Sequence, residues 1–369
     1  MHCPRIGHYA RLNSNGTIGC CGHMVDAQEY TTFRQMENSA WQQWLKWQME
    51  QENKWPKECV RCKQTEELNG TSIRLNSIKR DKILRKFDEK YLQLGGTLDN
   101  YCNSACVTCS PNLSTKIGNL KKQLVVKDNY ELYKTLPLDR VVEIDINGGE
   151  PSISKNYGDL LSNLPSSVRI VRINTNACVR IKQVRQLLDK DVAVIVTVSF
   201  DGIGPVHDYV RYPVKWQQFE NNLLYYKELA TQYNKLTLDT WTTVSFDGIG
   251  PVHDYVRYPV KWQQFENNLL YYKELATQYN KLTLDTWTTV SCLNVQQLEL
   301  LQKYCEDLGI RHEFAFLNKP EPLNVKYTNW FTKEVDMVGV ATHRDNTQEL
   351  EAFLGLEEAC RNNIERFWV

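Results

Sequence analysis

No stretch of this chain approaches the roughly eighteen consecutive apolar residues that a helix needs to cross a bilayer. It also lacks an excess of either charge, since 44 basic and 44 acidic residues cancel. That balance leaves no electrostatic footprint for a nucleic acid backbone. The start, Met1-His2-Cys3-Pro4-Arg5, has no charged-then-apolar leader, so a cytoplasmic location is expected. Cysteine, by contrast, is plentiful. Twelve cysteines in a reducing compartment read as metal ligands and free thiols rather than as disulfides. An apolar share of 42% over 369 residues can bury a full core, and the length suggests two domains or one barrel with an appendage.

Cys102, Cys106 and Cys109 stand in the order C-x3-C-x2-C. That spacing holds three thiolates close enough to grip one iron-sulfur cluster while leaving one iron open to an outside ligand. About forty residues on, Asn147-Gly148-Gly149-Glu150-Pro151 follows the apolar run Val141, Val142, Ile144, Ile146. Two glycines allow close backbone approach there, and a glutamate offers a charge-matched acceptor.

This pair of motifs resembles the radical S-adenosylmethionine (SAM) superfamily. The resemblance implies a [4Fe-4S] cluster on the three cysteines, with SAM chelating the open iron. Gly148, Gly149, Glu150 and Pro151 would receive the SAM amine. Ser199 and Asp201, in Ser199-Phe200-Asp201-Gly202, would face its ribose and methionine. Arg211 could pair with the methionine carboxylate, and Asn174 and Asn176 could reach the site from the third strand. Thr108 departs from the pattern, standing where many members carry an aromatic near adenine. The implied activity is reductive cleavage of SAM to a 5'-deoxyadenosyl radical that abstracts hydrogen from a substrate. The alternative is a non-catalytic iron-sulfur or zinc-binding interaction protein derived from the same family.

Cys3, Cys20, Cys21, Cys59 and Cys62 form a second set within residues 1–75. With the hairpin Asn-Gly-Thr-Ile-Gly-Cys-Cys, it resembles the twitch or SPASM auxiliary-cluster domains, placed here before the barrel rather than after it. Cys3, Cys20, Cys59 and Cys62 are assigned to a second [4Fe-4S] cluster, with Cys21 the alternative to Cys20. A structural zinc site accepts the same spacing, and His2 and His23 are alternative ligands. Auxiliary-domain relatives often modify peptides or proteins, which implies a peptide substrate, and an electron donor such as flavodoxin or ferredoxin. Cys178, Cys292, Cys305 and Cys360 have no metal spacing and read as buried free thiols.

The fold class expected is α/β, a partial parallel (β/α)6 barrel over 85–318, with a small Cys-rich metal-binding domain ahead of it and a cap or tail at 319–369. Strands are expected at 91–94, 141–147, 168–174, 192–199, 236–245, 282–291 and 311–317, with helices between. Near the N-terminus, a hairpin is expected at 8–12 and 17–20. A helix capped by Ser39 should follow, with Trp41, Trp44, Leu45 and Met49 on one face. Residues 197–245 recur without a change at 243–291, 46 positions on. Repeats of an architecture share a pattern rather than every letter. Identity this complete indicates a recent tandem duplication or an error in assembling the sequence. The copies, 198–243 and 244–289, would add a seventh strand to the barrel or extrude one arm beside it. The first copy is expected to occupy the native position.

Overall fold

The computed structural model describes residues 1–107, 109–199, 204–241, 244–257, 260–278 and 284–316. Asp201, Thr108, Cys360 and the expected cap or tail lie outside them. The chain divides into two compact units, Met1–Trp241 and Thr242–Val369.

In the first unit, short runs rich in β-branched residues form a seven-stranded sheet. Its strands are β1 (Tyr9–Leu12), β2 (Ile18–Gly19), β3 (Leu92–Thr97), β4 (Val141–Asn147), β5 (Ile170–Thr175), β6 (Ala193–Ser199) and β7 (Leu236–Trp241). Their order is β2-β1-β3-β4-β5-β6-β7. Every neighbouring pair is parallel except β1 with β2.

Alternation along the strands separates two faces. Leu94, Val142, Ile144, Ile146, Val171, Ile173, Val194, Val196 and Val198 are all buried on one. The other carries Gln93, Gly95, Glu143, Asp145, Asn147, Arg172, Asn174 and Thr197. Glu143, with no exposed surface, is held by Arg80 at 2.7 and 2.8 Å and by Arg172 at 2.8 Å. A carboxylate without those partners would be costly there.

The N-terminal segment, expected as a unit apart, instead adds β2 and β1 to the edge of this sheet. Two glycines make the docking possible. A Cβ on Gly95 would lie 2.1 Å from the Tyr9 hydroxyl, and one on Gly96 would lie 2.1 Å from the Leu12 carbonyl oxygen. Asn129 clasps the joint, donating to Asn13 O at 2.9 Å and Thr97 O at 2.7 Å. The helix Ala40–Glu50 begins as expected, with Ser39 Oγ accepting the Gln42 N–H at 3.3 Å. Leu45 and Met49 are buried with Ile6, but Trp44 is 41% exposed, so the expected aromatic stripe is only partly core.

The second unit holds β8 (Val244–Ser245), β9 (Asp285–Val290) and β10 (Arg311–Phe316), all parallel, in the order β10-β9-β8. The partial barrel expected over 85–318 thus takes the form, among the described residues, of a mainly parallel seven-stranded sheet in the first unit and a separate three-stranded sheet in the second. The reason lies in the copy. Val198 and Ser199 of β6 pair with Thr240 and Trp241, and their duplicates Val244 and Ser245 pair with Thr286 and Trp287 in the same register. The duplicated strand end takes β9 as its own neighbour. No described helix is long and apolar enough to cross a membrane.

Candidate functional site

Parallel strands present their carboxyl ends to one side, and the loops there carry most of the singled-out residues. The cysteine loop leaves β3 and is fixed along its length. Asn100, fully buried, donates to Val125 O at 2.7 Å and accepts Lys127 N at 2.8 Å. Cys102 N donates to Thr115 Oγ1 at 3.2 Å, and Ser114 Oγ donates to Ser104 O at 2.6 Å. Ala105 N and Val107 N donate to Tyr212 O at 2.6 Å and Val210 O at 2.9 Å.

Cys102, Cys106 and Cys109 are half-buried and unbridged. The Ser104 N–H lies 3.4 Å from Cys102 Sγ, and Arg211 Nη1 lies 3.8 Å from Cys106 Sγ. Burial pushes the Cys102 thiol up to about 11, against the Ser104 N–H, which favours the thiolate. Three unbridged thiols on one loop with N–H donors aimed at two sulfurs suit an iron-sulfur cluster, whose binding displaces the thiol protons. Among the described residues no three such side chains already stand in metal-binding geometry.

The glycine segment after β4 lies directly against this loop. Gly149 N donates to Asp99 O at 2.8 Å and Glu150 N to Tyr101 O at 2.7 Å. A Cβ on Gly148 would stand 2.3 Å from Asp99 O, and one on Gly149 would stand 1.9 Å from Tyr101 O. Only glycine permits this approach. Glu150, expected to receive a ligand amine, is 2% exposed and takes three donors from within the protein. Its carboxylate accepts Thr175 Oγ1 at 2.6 Å, Asn176 N at 2.7 Å and Ser152 N at 3.0 Å. Burial pushes its carboxyl above the ordinary range. The side chain thus ties the loop after β4 to the loop after β5. Glu150→Ala would strand three donors and should cost about 3 kcal/mol. Glu150→Gln, which keeps the oxygen shared by Thr175 and Ser152, should fall between the two in chemical denaturation.

Asn176 carries the connection on to the cysteine loop, donating to Ser104 Oγ at 2.7 Å and Asn103 Oδ1 at 3.0 Å. Asn103 in turn donates to Cys178 Sγ at 3.1 Å, which makes Cys178 a half-buried acceptor rather than a buried bystander. Asn174 bonds Asn147 across β5 and β4. Pro151 is buried, and Ser199 ends β6 half-buried. Asp99, Asn103, Ser104 and Ser114 were not singled out in the sequence. Their signal was only a density of small polar residues around the cysteines.

The duplication supplies an internal comparison. Arg211 lies beside Cys106, whereas its twin Arg257 is paired with the buried Asp247. The first copy is the one whose backbone holds the cysteine loop.

The N-terminal cysteines converge as well. Cys3, Cys21, Cys59 and Cys62 line one pocket with His23 and Arg5. Cys20, the preferred ligand from sequence, is instead fully buried, with its sulfur 3.8 Å from Met24 Sδ. Its place is taken by Cys21. Burial, then the neighbouring Cys21, push the Cys3 thiol up from 9.0 to about 12, and Cys59 is raised by burial and by Cys3. A raised thiol favours the folded state below pH 9.0 and loses that advantage as pH climbs toward 12. Melts of the metal-free chain should therefore show Tm falling above about pH 9. A flat profile to about pH 11 would contradict the crowding of these thiols.

Fold and site together define a mixed α/β protein with a mainly parallel sheet and a three-thiol loop at the strand ends. No protein-family model and no curated protein matches the chain. Among solved structures it is similar to Streptococcus suis SuiB bound to S-adenosylmethionine, at 14% identity and TM-score 0.38, covering 84% of this chain and 70% of that one. SuiB bound to precursor peptide SuiA gives 14% and 0.40, covering 83% and 71%. Native anSMEcpe with bound AdoMet gives 13% and 0.29, covering 61% and 51%.

Proposed function

We propose that this chain is a radical SAM enzyme whose cluster is held by Cys102, Cys106 and Cys109. The observation that carries this is the seating of the cysteine loop on the glycine segment through Gly149 N to Asp99 O and Glu150 N to Tyr101 O. When bound, a [4Fe-4S] cluster with SAM supplies one-electron cleavage of the sulfonium and a 5'-deoxyadenosyl radical that takes hydrogen from substrate. The chain's residues position and tune. Ser104 N and Arg211 donate toward the cysteine sulfurs, Glu150 and Asn176 lock three loops together, and Gly148 and Gly149 let the stem of the cysteine loop lie directly against the segment after β4. Ser199, Asp201 and Asn174 are proposed to contact SAM.

The polar face of the sheet, with Asn147, Arg172 and Asn174, suits a polar substrate, and a peptide is the class we propose. Cys3, Cys21, Cys59 and Cys62 would hold a second [4Fe-4S] cluster. The presence of His23 in the same pocket favours structural zinc as the second reading. The proposed compartment is the cytoplasm, with an electron-carrier protein as partner. Anaerobically reconstituted protein given dithionite and SAM should release 5'-deoxyadenosine. No product from fully loaded protein would favour the non-catalytic alternative.

A further inference from the structure

The ribbon that follows the cysteine loop carries charge of one sign. Between 101 and 127 the sequence has Lys116, Lys121, Lys122 and Lys127 and no acidic residue, in a chain whose charges balance overall. After the helix Thr115–Leu120 the backbone doubles back, with Gln123 N donating to Gly118 O at 2.8 Å. Leu124 then packs on Gly118, where a Cβ would lie 3.0 Å from the Leu124 Cα. Leu113, Leu120, Leu124, Val125 and Val126 are each 45% to 61% exposed. Lys121 and Lys122 are exposed beside them. Scattered exposed apolar residues need no explanation, but five in one short ribbon with lysines among them mark a contact surface.

The ribbon is bonded to the stem of the cysteine loop. Asn100 holds Val125 O at 2.7 Å and Lys127 N at 2.8 Å, and Thr115 Oγ1 accepts Cys102 N at 3.2 Å. A protein seated on the ribbon therefore lies against the segment that bears all three cysteines.

We propose that residues 113–127 form the docking face for a small acidic electron-carrier protein. This rests on the reading of the cysteine loop as a cluster site. Lysines around an apolar patch steer an acidic partner and let it leave again, which suits a transient redox encounter. The carrier loses one electron, the cluster gains one, and no covalent bond forms. The substrate is left the polar face of the sheet.

The test uses the full reconstituted chain with a reduced flavodoxin as probe. Lys121→Glu with Lys122→Glu should weaken flavodoxin binding, measured by fluorescence titration, about tenfold at low salt, and the gap to wild type should close at high salt. Leu124→Ser with Val126→Ser should weaken it severalfold at any salt. Flavodoxin-driven cluster bleaching should slow in parallel, while dithionite-driven bleaching stays at the wild-type rate in both variants. Binding within twofold of wild type in both variants overturns the proposal. So does an acidic peptide that occupies the ribbon when flavodoxin does not. Failure of wild type to make 5'-deoxyadenosine with dithionite would instead count against the enzymatic reading, and the titration would still judge the surface.

Discussion

Gly149→Ala should collapse the candidate site. The added Cβ would stand 1.9 Å from Tyr101 O, a backbone atom that no side-chain rotation can move away. Relief requires the two loops to part, which breaks the Glu150 N to Tyr101 O bond of 2.7 Å and strains the Gly149 N to Asp99 O bond of 2.8 Å. Overpacking and two weakened buried bonds together should cost about 3 to 5 kcal/mol. Because the displaced atoms belong to the stem of the cysteine loop, iron retained after reconstitution should fall to about half of wild type, the share held by the N-terminal cysteines. Gly158→Ala is the control. It lies in the helix Lys155–Ser162, where the nearest atom to an added Cβ is Gln183 Nε2 at 3.7 Å. It should leave iron unchanged and raise stability by about 0.5 kcal/mol. Denaturation and iron assays on both variants check the pair, and equal iron in the two would contradict the close-approach argument.

Deleting 244–289 should leave a folded protein with its cysteine loop intact. The deletion places Val290 after Thr243, where Val244 stood, so the local sequence is unchanged. β7 would then offer Asp239, Thr240 and Trp241 to β10 where β9 now offers Asp285, Thr286 and Trp287 to Arg311, His312 and Glu313. The two sheets become one. Calorimetry should show a single transition at the same or a higher temperature, with iron content preserved. Loss of folding would mean that the second arm is required.

Much of this was legible from the chain. The strands at β4 to β7, β9 and β10 fall close to their expected positions, because β-branched runs bounded by turn residues leave little choice of period. The cap at Ser39 was equally readable, since it depends on local chemistry alone. What escaped was pairing over distance. Four residues of β1 carry no mark of a partner some eighty positions later, and only the Gly95-Gly96 pair inside β3 hinted that another backbone lay close. Which of Cys20 and Cys21 lines the pocket with Cys3, Cys59 and Cys62 depends on how the chain leaves β2, which spacing cannot supply. Glu150 stood out in the sequence, but its internal bonds did not: a motif shows that a carboxylate stands there, not that Thr175, Asn176 and Ser152 donate to it.

The most direct test of the central claim is iron and sulfide content, with electron paramagnetic resonance of the reduced protein, for wild type beside a variant with Cys102, Cys106 and Cys109 all changed to alanine. The account predicts about eight irons in wild type and about four in the variant, with loss of the signal that SAM perturbs. Equal iron in both proteins, or a spectrum indifferent to SAM in wild type, would contradict it.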